Sequence, residues 1–367
     1  MMSNYRNVLE NMGKRRMEEE TATVIFKRSP ELQKGYLDPM VAADLQKRSG
    51  DSGPVALKEI DHASVEKVSA LALELRKQMG VPNKDLSKNI ETEEMFFDSD
   101  GHFIRIRLYR RSGLNGNSQP VLIYFHGGAF IGGRIEVVEN ACKDLAEKAA
   151  AVVVNVEYRL APEYPAPAAM NDCYNAVKWV YDHAEELKID KEKIAVAGDS
   201  AGGHLAASVS WLDREQRNHF IKFQALIYPT LCLDVKTLEA SMWPVEKFQP
   251  APEYMPQLKV ELQNMLIYHQ VIEKVFVKDG DPKHPMFSPL LAQTFSNMPP
   301  TFIAVAEFDF LRPFAERYAG MLQQASVPTT CICYEGAQHA FIDFYGIYPQ
   351  AEDCIDEIVK MMDDVFG

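Results

Sequence analysis

Residues 193–209 read Lys-Ile-Ala-Val-Ala-Gly-Asp-Ser-Ala-Gly-Gly-His-Leu-Ala-Ala-Ser-Val, and the order of residue types in this stretch dictates a strand, a sharp turn and a helix. The apolar run Ile194 to Ala197 reads as a buried strand, and the Ala- and Leu-rich run after Gly203 reads as a helix. Between them, Gly198-Asp199-Ser200-Ala201-Gly202 is a G-x-S-x-G turn in the strand-to-helix context that gives it meaning. Exposing one serine oxygen at the end of a buried strand requires an abrupt reversal. Gly198 and Gly202 keep side chains out of the space where strand and helix nearly touch. The amide of Ala201 then opens a helix, where unpaired N–H groups and the helix dipole favour an anion. Ser200 is the candidate nucleophile.

Outward from this turn, short apolar runs alternate with helical periodicity. Strands are expected at 93–97, 103–109, 121–125, 151–156, 194–197, 225–228, 302–306 and 330–334, eight in all. Helices are expected near 136–149, 168–187, 201–215, 313–325 and 349–365. Wholly apolar strands alternating with helices imply an α/β fold with a mostly parallel sheet covered on both faces. Asp98-Ser99-Asp100-Gly101 is a hairpin turn, so the first two strands are expected at an antiparallel edge.

Two segments stand apart. Residues 1–90 are charged and read as helical pieces, including an amphipathic helix from Asp61 to Gln78 with Asp61 as N-cap and Gly80 as its stop. Residues 232–288 interrupt the alternation with Trp243, several prolines and a helical pattern from Met255 to Val277. The two segments are expected to pack together as a helical cap over the core, formed by 91–231 and 289–367.

A serine hydroxyl needs a base, and the base needs a partner to orient it. The strand Thr301 to Ala306 is followed by Glu307-Phe308-Asp309, and the strand Thr330 to Tyr334 by Glu335-Gly336-Ala337-Gln338-His339. Both lie beyond Ser200, in the chain order Ser, acid, His of an α/β-hydrolase. Both loops leave the carboxyl ends of parallel strands, where such sheets place their sites. His339 is the expected base; Asp309 or Glu307 is the acid. After the strand 121–125, His126-Gly127-Gly128-Ala129-Phe130 supplies small residues whose N–H groups, with that of Ala201, would form an oxyanion hole. His126, His204 and Asp199 are expected to order their own loops rather than take protons.

Composition narrows the partners. The 367 residues carry a formal net charge of −13 and no long Lys/Arg block, which argues against a nucleic-acid partner. No apolar run approaches the roughly 18 residues of a membrane span, and Met1 to Glu20 lacks the apolar core of a secretory signal. The six scattered cysteines fit buried, reduced thiols in a cytoplasmic protein, and no Cys/His spacing suits a metal. No cofactor is expected.

Three motifs in order, His126-Gly-Gly-Ala-Phe, Tyr158-Arg-Leu-Ala-Pro-Glu-Tyr-Pro-Ala-Pro and Gly198-Asp-Ser-Ala-Gly-Gly, resemble the hormone-sensitive-lipase-like family of α/β-hydrolases over residues 91 to 345. The resemblance implies a carboxylic ester hydrolase with a helical cap and a preference for short- to medium-chain esters of small molecules. It carries Ser200, Asp309 and His339 over as the triad, and favours Asp309 over Glu307. It makes Gly128, Ala129 and Ala201 the oxyanion donors, with Gly127 as a further candidate. The acid motif departs from the family's Asp-Pro-Leu-Arg-Asp, reading Asp309-Phe-Leu-Arg-Pro313. Phe130, Trp243, Tyr254 and Phe341 are the candidates for an apolar substrate pocket, and Phe248, Met255, Met265 and Tyr268 of the insertion are also consistent with one. A homodimer is a further expectation, since members of the family often dimerise. Two other readings share the fold: a hydrolase of amides, lactones or carbamates, and a small-molecule receptor that has lost its histidine. The presence of His339 speaks against the receptor.

Overall fold

Ten strands form one sheet: β1 (Gly13–Glu18), β2 (Thr23–Arg28), β3 (Ile90–Ser99), β4 (His102–Arg111), β5 (Gln119–Phe125), β6 (Val152–Val156), β7 (Ile189–Asp199), β8 (Ile221–Ile227), β9 (Thr301–Phe308) and β10 (Thr329–Gln338). They are seen in a computed structural model that describes residues 2–19, 21–48, 60, 63–81, 83–114 and 118–367. The spatial order is β1-β2-β10-β9-β8-β7-β5-β6-β4-β3. From β2 through β6 every neighbouring pair is parallel; β1 and the β3–β4 hairpin are antiparallel.

Helices cover both faces, which is why the central strands are apolar throughout. All five residues of β6 are buried. Val152, Val154 and Val156 join one core with α5 (Ala168–Asp182), α6 (Ala201–Glu215) and α9 (Arg312–Gln324). Val153 joins the other, with α4 (Ile135–Lys148) and α10 (Pro349–Phe366). Each fully buried Val is worth about 1.5–3 kcal/mol of transfer free energy.

The N-terminal segment corrects the expectation of an all-helical region. Beside α1 (Met2–Glu10), residues 13–28 form β1 and β2, which extend the sheet beyond β10. β1 is exposed along its length and reads Gly-Lys-Arg-Arg-Met-Glu, with no apolar alternation to betray it. β2 is held by burial of Val24 and Phe26 and by Lys27, which is only 1% exposed. The Lys27 ammonium pairs with Asp353 and, at 2.8 Å, with Glu357, both on α10.

The remaining helices are α2 (Pro39–Arg48), α3 (Val65–Lys77), α7 (Val235–Ser241) and α8 (Met255–Ile272), the last running on into one wide turn over Glu273–Val277. Of these, α2 and α8 border a cavity at the carboxyl edge of the sheet. The N-cap of α3 is Ser64, whose Oγ accepts the Lys67 N–H at 3.5 Å; Asp61, expected in that role, lies outside the described residues. α3 packs on α8 and on the wide turn. Arg76 of α3 reaches down to the carbonyls of Ile131 and Ala161 and pairs with Glu163 at 2.7 Å. Ser288 closes the insertion: its Oγ accepts the Leu233 N–H at 2.8 Å and donates to the Pro282 carbonyl at 2.7 Å.

Removing one partner of a buried ion pair strands the others without compensation. Lys27→Met is therefore expected to destabilise the protein by roughly 3 kcal/mol or more. The midpoint of urea unfolding reads this directly; an unchanged midpoint would mean that the pairing to α10 does not hold β2 in place.

Candidate active site

Ser200 sits between the end of β7 and the start of α6 with φ +52° and ψ −113°, a conformation that L-residues seldom adopt. Such backbone costs of order 1–3 kcal/mol and persists only where the surroundings impose it. Here a Cβ on Gly202 would lie 1.8 Å from the Phe125 carbonyl oxygen, so α6 rests directly on the last residue of β5. The same contact sets the β5 loop beside the first turn of α6.

Parallel strands deliver the other groups to the same edge. His339 Nε2 lies 3.0 Å from Ser200 Oγ, and its Nδ1 lies 2.7 Å from Asp309 Oδ2. Asp309 is buried, and its second oxygen accepts the Leu311 N–H at 2.8 Å. Glu307, the rival acid, is turned elsewhere and accepts the Gly336 N–H at 2.7 Å. Pro313 falls in the first turn of α9, where a missing N–H costs nothing, so the departure from the family motif leaves the loop intact. The Tyr228 ring meets the His339 imidazole edge-on at 4.8 Å. Burial would lower the His339 pKa, but the charges of Asp309, Asp343 and Asp199 outweigh it, and the net direction is upward.

The β5 loop turns through three residues with positive φ: Gly128 (+125°), Ala129 (+54°) and Phe130 (+60°). A Cβ on Gly128 would meet the Gly132 carbonyl oxygen at 2.2 Å, so only glycine fits there. Ala129 takes the left-handed conformation in place of the family's glycine and keeps its N–H. Among the described residues, the N–H groups of Gly128 and Ala129 make no hydrogen bond. Gly127 differs: its N–H donates to Asp199 Oδ1 at 3.0 Å, which removes it as a candidate oxyanion donor. The Tyr124 hydroxyl donates to the same oxygen at 3.1 Å. Burial pushes the Asp199 carboxyl up to about 6, opposed by these two donors. His126 stacks on Tyr158, whose hydroxyl donates to the His126 carbonyl at 2.6 Å. His204 lies between the carbonyls of Thr230 and Met286, at 2.7 and 3.1 Å. All three therefore order backbone, as their sequence positions suggest.

Ser200 and His339 open into a cavity of about 390 Å³. Phe130, Trp243, Tyr254 and Phe341 do not line it, whereas Met265 and Tyr268 of the insertion do. Phe130 stacks on Phe276 at 4.2 Å behind the β5 loop, and Phe341 packs on Tyr228 and Tyr334. Trp243 packs on Phe248 beneath the Arg312 guanidinium, and Tyr254 meets Tyr36 edge-on at 5.9 Å. Aromatic size identified these residues, but size alone does not say which way a side chain points. The walls come instead from α2 (Val41, Leu45), α8 (Glu261, Asn264, Met265, Tyr268, His269, Ile272) and Met79 and Val137. The α8 set falls at i, i+3, i+4, i+7, i+8 and i+11, one helix face. Polar residues recurring on that face were the available signal.

A family profile for the alpha/beta hydrolase fold matches residues 122–343. The chain is 35% identical over 253 residues to an arylesterase of Saccharolobus solfataricus, covering 69% of this chain and 77% of that one. It is 30% identical to the esterase LipI of Mycobacterium tuberculosis, covering 82% and 91%. Among solved structures, a hyperthermophilic esterase from the archaeon Pyrobaculum calidifontis superposes with a TM-score of 0.69 at 32% identity, over 90% of this chain and 98% of the other. With the motif order and the strand-to-helix turn already in place, these matches identify the chain as a member of the hormone-sensitive-lipase-like family of α/β-hydrolases.

Proposed function

We propose that this protein hydrolyses small carboxylic esters through an acyl-enzyme on Ser200. The observation that carries the reading is the unbroken chain Asp309–His339–Ser200, at 2.7 and 3.0 Å, facing a cavity beside unpaired N–H groups. Ser200 Oγ attacks the ester carbonyl carbon while its proton passes to His339 Nε2. The oxyanion that forms lies against the N–H groups of Gly128, Ala129 and Ala201; one such donor typically contributes about 3–4 kcal/mol in the transition state. His339 returns the proton to the departing alkoxide, and a water repeats the sequence to release the acid. Asp309 holds the Nδ1–H tautomer and stabilises the imidazolium. The helices α2, α3, α7 and α8 form the cap. A cavity of about 390 Å³ suits short- to medium-chain esters. Among the described residues no helix is long and apolar enough to cross a membrane, and all six cysteines are buried and unpaired, as a cytoplasmic location allows.

A series of p-nitrophenyl esters from acetate to long acyl chains, run beside Ser200→Ala, sizes the pocket and tests the nucleophile together. Turnover should be greatest with short to medium chains and vanish in the variant; equal rates in both proteins would sink the proposal.

The choice between the two acids is separable by mutation. Asp309→Asn should lower turnover by about 10⁴ by leaving the imidazole in the wrong tautomer, whereas Glu307→Gln should cost far less. The reverse ranking in steady-state kinetics would reassign the acid.

The base works only when neutral, so activity is lost as pH falls through the His339 pKa. Because that pKa is raised, the acid limb of kcat/KM should have its midpoint above the ordinary value of about 6.5. A midpoint at or below it would mean that the carboxylates around His339 do not act as their placement implies.

A further inference from the structure

The α8 stripe that walls the cavity is rich in hydrogen-bond acceptors and contains no cation. Glu261 is half-buried, and its Oε2 accepts a hydrogen bond from Gln338 Nε2 at 3.0 Å. The amide side chain of Gln257, four residues earlier on the same helix, also favours the charged form of Glu261. Gln338 and Gln257 are both neutral, and among the described residues no Lys or Arg lines the cavity. Burial pushes the Glu261 carboxyl up to about 7, with the Asp309 charge adding to the rise and Gln338 and His339 opposing it.

Two turns along the same face, His269 is 4% exposed and also lines the cavity. Its Nδ1 lies 2.9 Å from the Met265 carbonyl, so Nδ1 carries the hydrogen and Nε2 presents a lone pair. Among the described residues, that buried Nε2 has no hydrogen-bond partner. Burial lowers the His269 pKa to about 4, so the ring is neutral at pH 7. Among the described residues, one helix face therefore carries a carboxylate with no Lys or Arg in the cavity to meet it and an imidazole acceptor without a donor. Buried acceptors left unmatched are costly, and a ligand that supplies the missing donor recovers that cost.

We infer that this face receives a protonated amine carried by the alcohol part of the ester, with Glu261 selecting for its charge. The inference rests on the ester-hydrolase reading above. Gln338, bound to Glu261, immediately precedes His339, and His339 is the group that returns a proton to the leaving alkoxide. The alcohol part thus passes alongside Glu261. There an ammonium N–H donates to the carboxylate in a charge-assisted bond, strengthened by the low local dielectric. The same wall repels an ester whose alcohol carries a carboxylate.

The test compares two butyrate esters of nearly equal shape: that of 2-(dimethylamino)ethanol, protonated at neutral pH, and that of 3-methylbutan-1-ol, its uncharged isostere. Acid release is followed by titration for the native protein, Glu261→Gln and Ser200→Ala. The cationic ester should be favoured in kcat/KM by roughly tenfold or more in the native protein. That ratio should fall towards one in Glu261→Gln, and being a ratio it is insensitive to a general loss of rate. The native ratio alone decides the matter if the variant fails to fold. Equal hydrolysis of both esters by the native protein, or a ratio unchanged by Glu261→Gln, would overturn this inference and leave the esterase reading standing. Absence of Ser200-dependent hydrolysis of either ester would overturn both.

Discussion

The contact between Gly202 and the Phe125 carbonyl governs the geometry of the site. A Cβ on Gly202 would lie 1.8 Å from Phe125 O and 2.7 Å from His126 O, and one on Gly198 would meet the Gly202 carbonyl at 2.4 Å. No side chain separates β5, β7 and α6 where they converge. The helix start that carries Ala201 is thereby pressed beside the loop that carries Gly128 and Ala129. The strain at Ser200 and Ala129, both at positive φ, is held by the same packing.

Around that contact, acids of the same kind acquire different tasks from their partners. Asp199 and Asp309 are both buried after parallel strands. Asp199 spends its lone pairs on Gly127 N–H and Tyr124 hydroxyl, and so ties the β5 loop to the turn. Asp309 has one oxygen fixed by Leu311 N–H and the other aimed at His339. Glu307 is two residues away, on the same strand exit, but it bonds to Gly336 N–H. Hydrogen-bond partners, more than residue type or proximity in sequence, separate Asp309, which meets His339, from the two acids that hold backbone.

Much of this was legible in the order of residues, and the failures share a physical cause. The parallel strands could be read because each is apolar on both faces, and the nearness of Ser200, Asp309 and His339 because each follows such a strand. β1 escaped because an exposed edge strand buries nothing and so leaves no period in its sequence. Apart from Met265 and Tyr268, the pocket residues escaped because the wall is made by one face of α8, and which face that is depends on how that helix docks. Leu258 is buried away from the cavity while Met265, on the same apolar pattern, lines it. Gly127 differs from Gly128 only in where its N–H points, a property of backbone torsion that residue identity does not encode.

The central claim is that Ser200 is activated by this arrangement and by nothing else in the chain. The direct measurement is the site of attachment of a fluorophosphonate, which reacts with an activated serine and leaves a stable adduct, located by peptide mass mapping. A single adduct on Ser200, strongly slowed in His339→Ala and absent in Ser200→Ala, is the predicted result. A folded protein that remains unlabelled, or that carries the adduct on another residue, would contradict the account.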